Sequence, residues 1–182
     1  MYKAIGMIEL TSIARGIYAT DLMIKAAFVD VASATPVCPG KYIAIVYGDV
    51  GAVQNAVSVG METAGEFLVD SIVIPNIHPD VFPAITATSM PEKIRALGIM
   101  ESFSIATMII AADAALKAAA VQAMELRLGS GLGGKAYFTF TGEVSAVDSA
   151  VRAGKAIALE KGLLVDVETI PSPSKKLIET LF

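Results

Sequence analysis

The chain contains one segment twice, and this internal repeat constrains its fold more than any other feature of the sequence. The apolar segment from Ala4 to Glu9 returns 92 positions later, from Ala96 to Glu101, and both copies end on a glutamate. The offset between the copies grows to 94 at Gly40-Lys41 and to 96 at Ile74-Pro75. A repeat of about 90 residues predicts two copies of one domain.

Each copy has the predicted element order strand, helix, strand, strand, helix, strand. We place the first domain at residues 1–88 and the second at 93–182, joined near residues 86–91. Ser12 and Asp49 are good N-caps for the two helices of the first copy. The predicted elements of that copy lie at residues 3–10, 12–27, 29–35, 41–47, 49–66 and 68–74. This order is typical of a ferredoxin-like α+β fold, in which helices cover one face of an antiparallel sheet.

The composition predicts a protein that buries much of its surface against other subunits. Hydrophobic residues make up 54% of the chain and charged residues only 18%, which is too apolar for a small monomer to cover. The net charge of -4 offers no basic surface for nucleic acid. No uncharged run reaches the roughly 18 residues of a membrane span, and the amino terminus lacks the apolar core of a signal peptide. We therefore expect a soluble, cytoplasmic protein.

The single cysteine lies in a segment bounded by prolines. Pro36 and Pro39 flank Val37 and Cys38, remove two backbone donors and predict a stiff, extended loop rather than a ladder strand, and Gly40 supplies the following turn. A free cysteine is usually a small buried hydrophobe. A loop of this kind is generally at the surface, where a thiol can take part in redox or metal chemistry. Because one chain offers one thiolate, any site with several cysteines requires several chains around a symmetry axis.

Four motifs resemble the bacterial microcompartment shell domain. They are Ala-Ile-Gly-Met-Ile-Glu at the start of the first copy, Asp21-x-x-x-Lys25 on its first helix, Pro-Gly-Lys-Tyr before its third strand and Gly-Asp-Val-Gly-Ala-Val at its second helix. The match runs from Ala4 to about Leu181 and appears in both copies, in unpermuted order. The chain is similar to the tandem-domain, trimeric shell proteins of this family, and among them to the propanediol-utilisation type.

The resemblance implies a specific assembly. In this family six domain copies form a flat hexagonal tile, so three two-copy chains would form one pseudohexameric homotrimer. Such a tile is a structural protein of the microcompartment shell in the cytoplasm, and its partners are other shell proteins. We predict no enzyme, because the chain has one histidine and no nucleophile with a triad around it.

The resemblance also implies a pore at the centre of the tile. The loop between the second and third strands lines this pore, which places Cys38 there with its neighbours Val37, Pro39 and Gly40. Shell proteins of the propanediol-utilisation type are taken to hold one [4Fe-4S] cluster per trimer, here with three Cys38 thiolates and a fourth ligand that the sequence does not identify. Such a tile would pass electrons or a cluster across the shell, to a redox partner or an enzyme of the lumen.

Two alternatives to the cluster-bearing tile stay open. The first is a shell tile with a plain pore for small metabolites, in which Cys38 has no function. The second is a ferredoxin-like trimeric sensor or enzyme outside the family, which the doubled domain and the lysines described below disfavour. The visible absorption of anaerobically purified protein separates the cluster from the plain pore.

The equivalent loop of the second copy is rich in glycine. It runs from Gly129 to Gly134 and matches the dinucleotide-binding pattern G-x-G-x-x-G. That motif requires a helix N-terminus at the pyrophosphate, whereas residues 135–141 have the pattern of a strand. We therefore predict a flexible second pore loop that contains Ser130 and Gly131, and no nucleotide.

One lysine on the first helix of each copy is expected at the edge of the tile. Lys25 and Lys117 would ordinarily be solvated helix residues. In the shell family the matching lysine pairs with that of a neighbouring tile across a two-fold axis. The resemblance therefore implies that both lysines contact adjacent tiles.

Overall fold

The computed structural model of the chain describes residues 4–181, which form two compact units. The first unit contains the residues up to Pro79 together with the segment Gly129–Gly134, and the second contains Asp80–Leu128 and the residues from Lys135 onward. Each unit is built on one copy of the repeat. Lys3, the predicted start of the first strand, lies outside the described residues.

The elements of the first unit follow the predicted order. They are β1 (Ala4–Leu10), α1 (Ile13–Ala26), β2 (Val29–Val37), β3 (Lys41–Gly48), α2 (Val50–Ala64) and β4 (Leu68–Pro75). Ser12 caps α1 as expected, because its side-chain oxygen accepts a hydrogen bond from the Arg15 amide at 3.2 Å. Asp49 occupies the N-cap position of α2. This helix ends earlier than predicted because Gly65 turns the chain with a φ of 55°.

The second unit repeats this order after one short helix. Its elements are α3 (Val81–Ile85), β5 (Ala96–Ser102), α4 (Ile105–Ala118), β6 (Val121–Leu128), β7 (Ala136–Gly142), α5 (Val144–Glu160), β8 (Leu164–Ile170) and α6 (Lys175–Ile178). The short helices α3 and α6 follow the last strand of the first and second copy, respectively. None of the helices within residues 4–181 combines the length and the apolar character that crossing a bilayer requires.

Both sheets have the same topology, which confirms the predicted ferredoxin-like arrangement. The strand order is β2-β3-β1-β4 in the first unit and β6-β7-β5-β8 in the second, with antiparallel pairing throughout the described residues. The registers correspond as well, because Ile5 lies opposite Tyr47 and Leu97 lies opposite Thr141. The two copies therefore share one sheet geometry despite their sequence differences.

In the first unit the two helices cover one face of the sheet. Ile8 of β1, Met23 of α1 and Val53 of α2 are fully buried in one hydrophobic cluster. Gly6 permits the close approach of α2, because a Cβ at this position would lie 2.5 Å from the Val57 side chain. Each large buried side chain contributes roughly 1.5–3 kcal/mol to the free energy of unfolding.

In the second unit aromatic rings fill the same layer. Phe138 and Phe140 are fully buried, and their ring centroids lie 5.0 Å apart. The Phe140 ring lies directly over Gly98, where any Cβ would collide with it. The first copy has Ala44 and Val46 at the positions of the two phenylalanines, so its core is filled by smaller side chains.

The prediction that the cysteine segment is not part of a ladder strand is partly wrong. β2 continues through Pro36 to Val37, which lies opposite Lys41, so the strand ends directly before Cys38. A proline is tolerated here because β2 is an edge strand, which needs ladder hydrogen bonds on one side only. The turn is therefore confined to the residues between Val37 and Lys41.

Candidate functional site

The predicted pore residues of the first copy lie in the tight turn between β2 and β3. Val37 is buried at the end of β2, and Cys38 is half-buried with a free thiol. Pro39 and Gly40 are exposed, and Gly40 has a φ of 80°, which glycine adopts without strain. The turn therefore places the half-buried thiol of Cys38 next to the solvent-exposed residues Pro39 and Gly40.

The glycine-rich loop of the second copy lies against this turn. The Cys38 amide donates a hydrogen bond to the Gly129 carbonyl at 3.1 Å. Gly134 approaches Pro39 so closely that a Cβ would lie 3.3 Å from the proline ring. The φ of Gly134 is 92°, which also favours glycine. The predicted pore loops of both copies are thus one combined surface, which we call the loop site.

The tip of the glycine-rich loop adds little side-chain volume to the loop site. Ser130 and Gly131 are exposed, as is Gly133. The φ angles of the two glycines are 73° and 61°, and a Cβ on either would meet no atom within 4 Å. Backbone conformation, and not crowding, therefore accounts for glycine at the tip.

An ion pair lies at the base of each half of the loop site. Lys41 Nζ lies 2.9 Å from Glu9 Oε1, and the Glu9 side chain is only 5% exposed. Lys135 pairs with Glu101 in the same way in the second copy, where the glutamate side chain is 30% exposed. Glu9 therefore holds the start of β3 against the end of β1, and Glu101 holds the segment before β7 against the end of β5. Both glutamates have a structural role.

A single chain does not provide a metal site. Within residues 4–181 no three histidine, cysteine, aspartate or glutamate side chains lie close enough together to hold a metal ion. Iron–sulfur clusters are bound by several cysteine thiolates, and Cys38 is the one cysteine of the chain. The residues of one chain therefore do not fit a [4Fe-4S] cluster, and a fit requires an assembly that brings several Cys38 side chains together.

A polar cluster on the second sheet is a feature that the sequence analysis does not predict. Glu125 accepts hydrogen bonds from Arg127 Nε at 2.8 Å and from the Tyr137 hydroxyl at 2.5 Å. Burial and the hydrogen bond to Glu125 raise the pKa of Tyr137 to about 12. The hydrogen bond to Glu125 also raises the pKa of Arg127. The three side chains line a cleft of about 220 Å³, together with Ser89 and Leu181.

The first copy lacks this polar cluster. Strand register places Ser33, Thr35 and Ile43 at the corresponding positions. The signal in the sequence was a glutamate and an arginine two residues apart on a strand, because such residues share one face of the sheet. Their cross-strand tyrosine becomes apparent only from the register. The two copies therefore differ chemically on the face of the sheet opposite the helices, where the first copy has the buried Ile43.

The two helix lysines are exposed and have equivalent local partners. Lys25 Nζ lies 2.5 Å from Asp21, and Lys117 Nζ lies 2.6 Å from Asp113. The lysine side chains are 68% and 43% exposed. Contact with a neighbouring tile stays a prediction for both residues.

Comparison with known proteins finds relatives for both copies of the repeat. The family model described as BMC domain matches residues 4–77 and again residues 96–173. The bacterial microcompartment shell protein PduT of Citrobacter freundii is 46% identical over 177 residues, which span 97% of this chain and 96% of that protein. The carboxysome assembly protein CcmO of Synechocystis sp. is 30% identical over 194 residues, which span 98% of this chain and 64% of CcmO.

Solved structures resemble the chain over both copies. A microcompartment protein from Desulfitobacterium hafniense has a TM-score of 0.94 at 49% identity, with 98% of this chain and 99% of that chain covered. The fused permuted hexameric shell protein MSM0275 from the RMM microcompartment has a TM-score of 0.62 at 20% identity, with 87% and 82% covered. At 20% identity the second likeness concerns the fold alone.

Proposed function

Because the chain belongs to the BMC domain family, we propose that it is a structural tile of a bacterial microcompartment shell and not an enzyme. The observation that carries this proposal is the similarity of both copies, over 97% of the chain, to a microcompartment shell protein. The resemblance seen in the sequence and the comparisons agree on the family, which supports the proposal. The partners of such a tile are other shell proteins.

Three chains form each tile in this proposal, because six domain positions require three two-copy chains. The first helix of the first copy supports the assembly. Ile17, Tyr18 and Ile24 on α1 are 56%, 53% and 43% exposed, whereas their counterparts on α4 are buried or half-buried. An exposed apolar surface of this kind is typical of a subunit interface. In the homotrimer a second chain covers it.

The loop site lines the central pore of the tile. Around a three-fold axis the turn after β2 and the loop Gly129–Gly134 each occur three times. The residues exposed there are small or lack side chains: Pro39, Gly40, Ser130 and Gly131. A pore lined by backbone and small side chains suits the passage of small metabolites, and this plain pore is the function that the geometry of one chain supports best.

Electron microscopy of purified protein tests the tile. We expect flat hexagonal sheets from the wild type, and loss of sheets but not of the trimer from Lys25→Asp combined with Lys117→Asp. Lys155→Asp combined with Lys161→Asp is the control, because it makes the same charge change at two other exposed lysines. Loss of the trimer in the first variant would place the two lysines at another interface. A wild type that forms no sheets and does not enter the shells of co-expressed relatives would contradict the tile.

A [4Fe-4S] cluster at the axis is a second candidate function. It is favoured by the half-buried free thiol of Cys38, which the hydrogen bond to Gly129 holds in place and which a homotrimer presents three times. Each chain would supply one thiolate, and the fourth ligand would come from elsewhere. A bound cluster supplies one-electron transfer. The residues of the chain would hold it in the pore, where a redox partner or lumen enzyme could exchange electrons with it.

Iron and sulfide assays on anaerobically reconstituted protein decide between the two pores. The cluster predicts about four irons per trimer and a brown colour, both lost in Cys38→Ser. The serine variant should still form a trimer, because the glycines and prolines of the loop site are unchanged. If the wild-type protein binds no iron, the cluster is contradicted and the plain pore remains as the proposed function. A serine variant that keeps the visible spectrum would show that Cys38 is not the ligand.

A further inference from the structure

The polar cluster of the second sheet borders a cleft of about 220 Å³. Arg127 of β6 lies opposite Tyr137 of β7, and Glu125 lies two residues before Arg127, so the three side chains share one face of the sheet. The residues that line the cleft all belong to the second unit. A volume of this size holds roughly seven water molecules. The cleft therefore suits a small molecule and not a protein segment.

Arg127 has hydrogen-bond donors that its partner in the cluster does not use. Its Nε donates to Glu125 Oε1 at 2.8 Å, and its Nη2 lies 2.6 Å from the same oxygen. These contacts use one edge of the planar guanidinium, which has further N–H donors on the edge formed by Nη1 and Nη2. That second edge has no hydrogen-bond partner among residues 4–181, and the arginine side chain is 48% exposed. It is therefore available to a ligand.

Both oxygens of Glu125 are engaged within the cluster. Oε1 accepts from Arg127, and Oε2 accepts from the Tyr137 hydroxyl at 2.5 Å. Because the pKa of Tyr137 is raised to about 12, this hydroxyl keeps its proton near neutral pH and remains a donor to Glu125. A small cation in the cleft would meet the positive guanidinium. The cluster thus offers a ligand N–H donors, which select a molecule with acceptor oxygens.

Apolar side chains line another part of the cleft. Met124 is the extra residue of a β-bulge in β6, and Leu181 follows α6. Ser89 lines the cleft from the segment after α3, and its hydroxyl donates to the Ala123 carbonyl at 2.5 Å, which ties this segment to β6. A ligand in the cleft therefore meets both the guanidinium and an apolar wall.

We propose that this cleft binds a short-chain carboxylate, whose two oxygens accept hydrogen bonds from the free edge of Arg127 and whose alkyl group contacts Met124 and Leu181. A planar carboxylate matches the guanidinium fork in a bidentate geometry. Thr35 occupies the position of Arg127 in the first copy, so the site belongs to the second copy. It lies within one unit of one chain, and the inference goes beyond the shell function and depends on neither the trimer nor the pore.

Titration calorimetry of the purified wild-type protein with butyrate tests this site. We expect saturable binding of one butyrate per chain, and at least about tenfold weaker binding of butyramide, which has nearly the same size and no charge. Arg127→Gln should weaken butyrate binding by a similar factor, and so should Arg127→Lys, which keeps the charge but lacks the fork. Arg152→Gln is the matched control, because it makes the same change at an exposed arginine of α5.

Two further readouts separate the cleft from a general effect of charge. Leu181→Ala should reduce the preference for butyrate over acetate, measured as the ratio of their dissociation constants. Nuclear magnetic resonance of tyrosine-labelled protein should show a shift of the Tyr137 ring signals with butyrate in the wild type but not in Arg127→Gln.

Three results would overturn the carboxylate site. They are a wild type without saturable butyrate binding, equal affinities for butyrate and butyramide, and equal losses of butyrate affinity in Arg127→Gln and Arg152→Gln. An unchanged preference for butyrate over acetate in Leu181→Ala would overturn the assigned alkyl contact. Circular dichroism of each variant should match that of the wild type, because Arg127 and Arg152 are at least half-exposed and Leu181 lies beyond the last helix.

Discussion

The helices α1 and α4 are built alike and have different surroundings. Both have 14 residues, begin after a capping serine and carry an aspartate–lysine pair four residues apart. Yet four residues of α1 are buried, against ten of α4. One reason lies in the second unit, where α4 packs against α3 in addition to α5 and its own sheet. The two copies share one fold, and the first helix differs in its exposed apolar surface, which we assign to another chain in the proposed trimer.

The largest difference between the copies should appear in the free energy of unfolding when equivalent isoleucines of α1 and α4 are each replaced by alanine. Ile109→Ala creates a cavity in a fully buried site and should lower the free energy of unfolding by about 2–5 kcal/mol. Ile17→Ala alters an exposed site and should cost the dissociated chain less than about 0.5 kcal/mol, while weakening the trimer. Urea denaturation at low and high protein concentration measures both effects. Equal losses at low concentration would mean that the two helices do not differ in burial.

The ion pairs at the base of the loop site should differ in the same direction. Glu9→Gln removes the charge that pairs with Lys41 at an almost buried position, and should cost about 1–3 kcal/mol. Glu101→Gln should cost less than about 1 kcal/mol, because the pair is more exposed. Lys135 also keeps its contact with the Phe103 ring. Thermal denaturation of both variants measures the difference, and a larger loss from Glu101→Gln would reverse our ranking.

The glycines that precede β3 and β7 should respond differently to substitution by alanine. Gly40→Ala and Gly134→Ala each force a side chain into left-handed backbone, at a cost of about 1–2 kcal/mol. At Gly134 the new Cβ also presses on Pro39, whereas at Gly40 it meets no atom within 4 Å. Gly134→Ala should therefore speed amide exchange at Cys38, whose amide donates to Gly129. Exchange at Cys38 that is equally slow in both variants would argue against packing between the two loops.

The smallest predicted effect is a pH dependence that arises from the polar cluster of the second copy. The pKa of Tyr137 is raised to about 12 from an ordinary value of 10.0, so the folded chain holds this proton more tightly than the unfolded chain. Its contribution to stability is present below pH 10 and is lost as the pH rises toward 12. Tyr137→Phe should remove that loss, because the variant has no proton to release at this position. Tyrosinate absorbance against pH measures the deprotonation of Tyr137, and the melting temperature against pH measures the loss of stability.

Local signals in the sequence predict much of the fold. The repeat, the Ser12 cap and the alternation of strands and helices depend on neighbouring residues, and the structure confirms them. The length of β2 was missed because Pro36 is acceptable only in an edge strand, and edge position is a property of the sheet. The unequal burial of α1 and α4 is likewise a tertiary property.

The loop site was predicted less completely than the fold. Both loops could be identified from glycine and proline content, but the hydrogen bond from Cys38 to Gly129 joins residues of different copies. Glu125 and Tyr137 meet only through the register of β6 and β7. The sequence therefore identifies which segments are unusual, and the packing of strands determines which of them come together.

The molar mass of the purified chain in solution tests most directly whether another chain covers α1. Light scattering should give 56.7 kDa, three times the 18.9 kDa of one chain, and should fall only on strong dilution. Amides of α1 should exchange as slowly as those of α4 in this trimer, and faster once it dissociates. A stable 18.9 kDa species at all concentrations, with α1 exchanging faster than α4, would contradict the interface that we assign to the first copy.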